Sequence, residues 1–233
     1  MTAGHFGFAA GVKAPGPTAP LWALMVGTYL LDFVFIVLVG AGVESFRPMD
    51  PAHPAYGAVI INASYSHSLL GAIALAASAG LLAKWAWGRN AAFAVGGVVF
   101  SHWVLDLIVH RPDLPILPGN AGHLPLLGFG LWNVPAASAT LELAIAVAGT
   151  WLYYRSAKRA VAAQARRTGT APSAHLAPLV TGVLVLLLLG ADVFALPLGV
   201  ALGLMLLLIV LCGWLDSRID WRAASGSPSG AGV

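Results

Sequence analysis

The sequence contains few charged residues and a single cysteine, and each scarcity excludes a class of protein. Charged side chains make up 9% of the 233 residues, hydrophobic ones 59%, and the mean hydropathy is +0.84. A soluble core of this size cannot hide so much apolar surface, so we expect the chain to lie in a lipid bilayer. The lone Cys212 excludes an intrachain disulfide and a CxxC metal site. The twelve Lys and Arg residues form no patch with interleaved aromatic residues, so we expect no nucleic-acid partner.

Long apolar runs predict the fold class. Six runs approach the length of about 20 residues that a helix needs to span a bilayer. The chain is therefore predicted to be an all-α, polytopic membrane helix bundle of about six transmembrane helices, with a short N-terminal re-entrant or interfacial segment. Asp192, in the connection between the last two runs, needs water or a partner. The runs are residues 21–43, 59–83, 91–110, 131–153, 176–193 and 197–215.

The basic residues in the loops predict an orientation. Counted on alternating sides of the six spans, ten Lys and Arg residues fall on one side and only Arg47 and Arg111 on the other. Cytoplasmic loops carry the excess of positive charge, so both termini are predicted to be cytoplasmic, in the inner membrane of a bacterium. The ten are Lys13, Lys84, Arg89, Arg155, Lys158, Arg159, Arg166, Arg167, Arg218 and Arg222.

The same reading divides the chain into four parts. Residues 1–154 are predicted to form a helical bundle that carries the polar site, and residues 178–216 a C-terminal transmembrane hairpin. Between them, residues 155–177 are expected to be a basic cytoplasmic helix extension and linker. Residues 217–233 are rich in Ser, Gly and Pro and are expected to be disordered.

Ionisable residues at membrane depth indicate a functional site, because each costs a few kcal/mol or more to place there. Asp32 lies in the first run, His67 in the second and Glu142 in the fourth. The third run carries a longer pattern of His102, Asp106 and His110, spaced i, i+4 and i+8. This spacing puts the three side chains on one face of a helix, and the predicted topology puts His67 in the same leaflet.

Imidazoles and carboxylates together are typical ligands of a divalent transition metal, of which zinc is the best candidate. A metal with an open coordination position lowers the pKa of bound water toward about 7 and thereby supplies hydroxide. A carboxylate that is not a ligand would then act as general base. Asp106, Asp113 and Glu142 are candidates for this role, since Pro112 ends the third helix and lets Asp113 fold back.

Five segments carry a further signal, namely His-Phe-Gly-Phe at residues 5–8, Asp32, Ser-Tyr-Ser-His-Ser-Leu at 64–69, Ser-His-Trp-Val-Leu-Asp at 101–106 and His-Arg-Pro-Asp-Leu-Pro at 110–115. Together they resemble a known family, the bacterial multi-pass membrane-bound metal-dependent hydrolases. A more distant resemblance is to the LexA-binding, inner-membrane-associated hydrolases. The resemblance as a whole extends from His5 to about Tyr154, whereas the last two apolar runs match the family only in hydrophobicity. One departure is that the distant family tends to carry a paired Asp-x-Asp where Asp32 stands here.

The resemblance implies a membrane-embedded hydrolase of a lipid-linked or membrane-proximal ester or phosphoester. It implies that the metal ligands are His5, Asp32, His67, His102 and Asp106, with His110 and Asp113 close by, and that Asn133 and Glu142 lie just outside them. His5 reaches such a site only if residues 4–12 dip into the bundle, which Gly7 and Gly11 would permit by close packing. Otherwise His5 is an exposed residue.

Two other functions stay open at this stage. A proton or ion translocating protein would use Asp32, Asp106, Glu142 and the histidines as a relay without a metal. A haem-binding or structural membrane subunit would use His67 and His102 as axial ligands from facing helices. The carboxylates near these histidines argue against haem, and the lack of an internal repeat argues against a transporter.

Overall fold

Helices make up most of the molecule. A computed structural model of the chain describes residues 1–16, 19–169 and 176–224, and it is 71% helical with one two-stranded sheet. It therefore confirms the predicted all-α, polytopic bundle. The elements in chain order are α1 (Thr2–Lys13), α2 (Leu21–Thr28), α3 (Leu30–Gly40), β1 (Ser45–Pro48), β2 (Val59–Asn62), α4 (Leu69–Trp87), α5 (Arg89–Val109), α6 (Pro135–Thr168), α7 (Leu176–Val193), α8 (Leu198–Leu207), α9 (Gly213–Asp216) and α10 (Trp221–Ala224).

Among the described residues, five helical segments are long and apolar enough to cross a membrane. They are α4, α5, α6, α7 and the stretch Leu198–Asp216, in which a π-helical turn joins α8 to α9. The pair α2 and α3 meets the same test but is bent by 49°, so the number is six if the pair is one broken span. On α4, Leu81, Leu82 and Trp85 are between 66% and 90% exposed. Lipid covers such faces, and the chain is a membrane protein as its composition predicts.

In two of the predicted spans, the helix does not follow the bounds that the hydropathy pattern predicts. The run 21–43 is not one helix, because the chain bends at Tyr29 between α2 and α3. The run 59–83 is helical only from Leu69, since residues 59–62 form β2, which pairs antiparallel with β1. His67 therefore lies in the loop before α4 and not within a helix. Val59, Ile60 and Ile61 are β-branched, which favours the strand.

The other boundaries shift by a few residues or fall partly outside the described chain. α5 ends at Val109, so His110 caps this helix instead of being its last residue as the run 91–110 predicts. α6 extends as helix to Thr168, which accounts for most of the expected extension and linker at 155–177, and residues 170–175 lie outside the described residues. Of the tail expected to be disordered, Trp221–Ala224 is a short helix, and residues 225–233 are again outside the described part.

The N-terminal helix α1 packs inside the bundle, against α6, α2 and α7. Its approach to α6 depends on two glycines: a Cβ on Gly149 would overlap the carbonyl of Gly7. A Cβ on Gly7 would in turn meet the backbone of Ala146. Such contacts between small residues bring helix backbones together in membrane proteins. The expectation that Gly7 lets this segment dip into the bundle is confirmed, and His5 becomes buried as a result.

Candidate metal centre

The imidazole and carboxylate groups singled out in the sequence meet at one point in the bundle. His5 comes from α1, Asp32 from α3, His67 from the loop before α4, and His102 and Asp106 from α5. The side chains of the four histidines, including His110, and of Asp106 are at most 5% exposed, and that of Asp32 is 24% exposed. The site is therefore closed except on the side of Asp32.

Asp106 is the centre of this cluster. Its Oδ1 lies 3.1 Å from His5 Nε2, and its Oδ2 lies 3.1 Å from His102 Nε2. The same Oδ2 is 3.6 Å from His67 Nε2 and 3.7 Å from His110 Nε2. The predicted one-face stripe of α5 is present, because His102 and Asp106 stand one turn apart and His110 follows at the helix end.

His67 and Asp32 complete the cluster from the other side. His67 Nε2 is 3.3 Å from His102 Nε2 and 3.4 Å from Asp32 Oδ1. Asp32 Oδ2 lies 3.7 Å from His102 Nε2. Ligand atoms about 2.0–2.1 Å from a tetrahedral metal are separated from each other by roughly 3.3–3.4 Å. The observed separations fit that spacing, whereas a haem macrocycle has no room between two nitrogens 3.3 Å apart.

The hydrogen bond of each outer ring nitrogen fixes the tautomer of the imidazole. His102 Nδ1 is 2.6 Å from the carbonyl oxygen of Thr28, which only accepts, so Nδ1 carries the proton. In the neutral ring, Nε2 then presents a lone pair to the cluster. His110 Nδ1 is 2.9 Å from Asp113 Oδ1 and donates to it in the same way.

His67 is oriented by a relay through a serine. Ser66 Oγ donates to Glu44 Oε2 at 2.8 Å, so its remaining contact of 2.8 Å with His67 Nδ1 requires Nδ1–H to donate to Ser66 Oγ. Glu44 is buried and also accepts the backbone N–H groups of Tyr65 and Ser66. Trp103 Nε1 donates to the His67 carbonyl at 2.9 Å. The loop that carries His67 is thus held from both sides.

These tautomers turn three lone pairs and two carboxylates toward one volume. His67, His102 and His110 each present an unprotonated Nε2, and Asp32 and Asp106 add oxygens that only accept. Such an arrangement is repulsive unless a cation, either a proton or a metal ion, lies between the groups. Two overlapping sets, His5–His102–Asp106 and Asp32–His67–His102, could each hold a metal ion.

His5 lies at the edge of the cluster and is not exposed as the alternative expectation had it. Its ring stacks on that of His102 with centroids 3.9 Å apart, and its carbonyl accepts a bond from Thr28 Oγ1. Its Nδ1 is buried without a hydrogen-bond partner among the described residues. His5 therefore bonds to Asp106 through Nε2 and keeps one ring nitrogen uncommitted.

Glu142, a predicted general base, is buried but lies apart from the cluster. Its Oε1 accepts the Gly4 N–H at 3.0 Å, and its Oε2 accepts the hydroxyl of Tyr56 at 2.6 Å. Burial and the Glu142 carboxylate raise the pKa of Tyr56 above its usual range, so this phenol stays a donor. Asp192 finds the partner that it was expected to need, because it accepts the N–H and the hydroxyl of Thr2. Glu142 and Asp192 thus both accept backbone N–H groups at the start of α1.

The structure thus brings together His5, Asp32, His67, His102, Asp106 and His110 and leaves three predicted residues outside. Asp113 contacts the cluster only through His110, Glu142 is occupied by Tyr56 and Gly4, and Asn133 accepts a bond from Arg111. Sequence reasoning missed Glu44 and Ser66. Glu44 follows the first apolar run directly, and this position next to a span was the available signal for it.

Comparison with known proteins adds no family. The sequence matches no protein-family profile, and neither a curated protein nor a solved structure is a significant match to it.

Proposed function

We propose that the chain is a membrane-embedded, metal-dependent hydrolase that acts on an ester or phosphoester of a lipid-linked or membrane-proximal substrate, with zinc as its metal. The observation that supports this most is the convergence of the His67 and His102 Nε2 lone pairs with the oxygens of Asp32, at separations of 3.3–3.7 Å. Two imidazoles and a carboxylate are the ligand set of a catalytic zinc with an open position.

The outer partners support a metal in preference to a proton. Ligating histidines regularly donate their other ring N–H to a carboxylate or a carbonyl, which orients the ring and raises its basicity. Here the outer N–H groups of His102, His67 and His110 are accepted by Thr28 O, by Ser66 Oγ backed by Glu44, and by Asp113 Oδ1. A relay of protons needs rings that can release a proton from either nitrogen, and these rings are fixed by their outer bonds.

A bound divalent ion would supply a Lewis acid and a water of lowered pKa at this position. Asp106 is suited to accept the proton of the attacking water, because His5 holds its Oδ1 and its Oδ2 faces the cluster. For a carboxylic ester, the water oxygen bonds to the carbonyl carbon and one proton moves to Asp106. The bond from that carbon to the leaving oxygen then breaks, and Asp106 returns the proton to this oxygen, giving an acid and an alcohol.

Metal analysis of the purified protein tests this proposal. Protein extracted in detergent without chelator should carry about one equivalent of zinc, and His102→Ala and Asp32→Ala should lose it. His53→Ala is the matched control, since His53 is an exposed histidine that also pairs with an aspartate. Wild-type protein that is folded, takes up no transition metal even when zinc is added, and cleaves no ester would refute the proposal and favour the proton relay.

A further inference from the structure

One cavity of about 400 Å³ adjoins the centre and continues away from it along apolar walls. Its polar end contains Asp32, His67 and Asp106. Beyond them most of the lining is apolar, including Phe35 and Ile36 of α3 and Ala201 and Leu202 of α8, although Thr2, Tyr56 and Asp192 also contribute to it. This volume is within the range of about 300–1,000 Å³ that small-molecule pockets occupy. We call the part between α3 and α8 the apolar compartment.

The apolar compartment is bounded by two helices that pack against different neighbours. α3 packs against α2, α4 and α5, whereas α8 packs against α7 and the π-helical turn. Ile36 and Leu198 line the cavity and are also 44% and 58% exposed, so the walls continue to the outer surface of the bundle. Because α8 belongs to a membrane-spanning segment, that surface faces lipid. A hydrocarbon chain can therefore reach the compartment sideways from the bilayer.

The charge of the cavity limits the group that reacts at its polar end. Asp32, Asp106 and Asp192 line it, and no Lys or Arg is among its described lining residues. The positive group in that lining is the N-terminus of α1 at Met1, which lies among the charges of Glu142, Asp106, Asp192 and Asp32. The nearby Arg111 donates instead to the carbonyls of Gly57 and Val59. Two carboxylates already balance a divalent ion, and Asp192 and Glu142 already accept the N–H groups of Thr2 and Gly4. A phosphate group would therefore find no positive group in the described lining that an acid does not already face. Phosphate sites in proteins use Arg, Lys or helix N-termini.

We infer that the substrate is a neutral lipid whose long alkyl chain is attached through a carboxylic ester or amide, with the chain lying in the apolar compartment. This inference rests on the proposed function and narrows it by setting phosphoesters aside. The chain reaches the compartment between α3 and α8, and the carbonyl carbon then lies beside the metal centre.

A bulky side chain in the compartment tests the inference. Ala201→Trp fills it, and Leu206→Trp is the matched control because Leu206 is on the same helix, is 59% exposed and does not line the cavity. Zinc-loaded proteins are assayed with 4-nitrophenyl hexadecanoate, 4-nitrophenyl acetate and hexadecyl 4-nitrophenyl phosphate, which share one leaving group. The alkyl chain of the substrate enters the compartment from lipid and not from water. Its burial therefore adds little binding free energy and by itself gives little preference for long-chain over short-chain esters. The comparison of the two variants is therefore the decisive readout.

We expect Ala201→Trp to lower kcat/KM for the hexadecanoate by about 5- to 150-fold, the range that overpacking of a well-filled site produces. The rate for the acetate should fall much less than that for the hexadecanoate, Leu206→Trp should change neither rate, and the phosphodiester should not be cleaved. Equal effects of Ala201→Trp on both esters, or no effect, would overturn the chain compartment. Cleavage of the phosphodiester as fast as the hexadecanoate would overturn the neutral substrate class.

Binding of hydroxamates separates this inference from the proposed function. If the protein binds zinc but cleaves none of these substrates, the proposed hydrolase function is wrong. The affinities for hexadecanoyl hydroxamate and acetohydroxamate then test the apolar compartment on its own. Weaker binding of the long hydroxamate alone to Ala201→Trp, compared with Leu206→Trp, supports the compartment. Equal binding to both variants overturns it.

Discussion

Replacing Glu44 by Gln should weaken metal binding without unfolding the loop that carries His67. Glu44 Oε1 accepts the N–H groups of Tyr65 and Ser66 at 2.7 and 3.0 Å, and the amide oxygen of Gln can keep both bonds. Oε2 accepts the hydroxyl of Ser66, and in Glu44→Gln an NH₂ group takes its place. The Ser66 hydroxyl must then donate to His67 Nδ1. The ring changes tautomer and places a proton on Nε2, where the metal would bind.

The size of the effect follows from the bonds that change. A hydrogen bond to a charged acceptor contributes about 1.5–3 kcal/mol and a neutral one about 0.5–1.5 kcal/mol, so the preference for the metal-binding tautomer falls by about 1–1.5 kcal/mol. Changes in the outer partners of metal-binding histidines typically lower metal affinity by about 10–100-fold. We expect Glu44→Gln to lower the zinc affinity by about 5–12-fold, at the low end of that range, because 1.4 kcal/mol is a factor of ten and only the Oε2 bond is inverted.

Competition for zinc with a chromophoric chelator measures this affinity in detergent. Asp50→Asn is the matched control, since Asp50 is an exposed carboxylate whose Oδ2 lies 2.9 Å from His53 Nδ1. The melting temperature of each metal-free protein should stay within a few degrees of the wild type, which separates affinity from folding. An unchanged zinc affinity of Glu44→Gln would refute the tautomer argument, as would an equal loss in Asp50→Asn.

Three further predictions concern the metal, the N-terminal helix and His110. Removal of zinc by a chelator should lower the melting temperature of the wild type, since a ligand at 100 times its Kd stabilises the folded protein by about 2.7 kcal/mol. The chelator should not shift the melting temperature of His102→Ala, and differential scanning fluorimetry measures both. Gly149→Ala should displace α1 and expose it to protease because its Cβ meets the Gly7 carbonyl, whereas Gly182→Ala, at a helical glycine with open space, should not. Asp113→Asn should lower zinc affinity less than Glu44→Gln does, since its neutral amide oxygen can still accept the His110 proton; the same chelator titration measures it.

Hydropathy predicted the long helices correctly, because a span of about 20 apolar residues has few alternatives in lipid. It could not distinguish the strand at 59–62 from the start of a helix, since a short apolar run has no diagnostic periodicity. The bend at Tyr29 was equally hidden, because no proline marks it and the apolar run continues through it. Both errors fall where the chain departs from regular helix, and a hydropathy average does not detect such local departures.

The inner residues of the centre were predictable because ionisable groups at membrane depth are costly and therefore rare. The spacing of His102 and Asp106 also specified a shared helix face. Their outer partners were not predictable in this way. Glu44 reaches Ser66 across 22 residues, and the partner of His102 is a backbone carbonyl, which has no signature in the sequence. Tertiary packing decides both contacts.

The irregular segments of the bundle supply what continuous helices cannot. In a straight transmembrane helix every backbone carbonyl is used by the helix itself, and irregular backbone at this depth persists only where protein or a cavity surrounds it. Here each of three imidazoles is oriented from such a place: His102 by Thr28 at the bend, His67 by Ser66 in its own loop, and His110 by Asp113 beyond the end of α5. Helix α5 provides ligand atoms at fixed spacing, and the interruptions provide the acceptors that aim them. The bend between α2 and α3 is therefore part of the site. A variant in which α2 and α3 formed one straight helix would lose the hydrogen bond that fixes the His102 tautomer and would keep the overall fold.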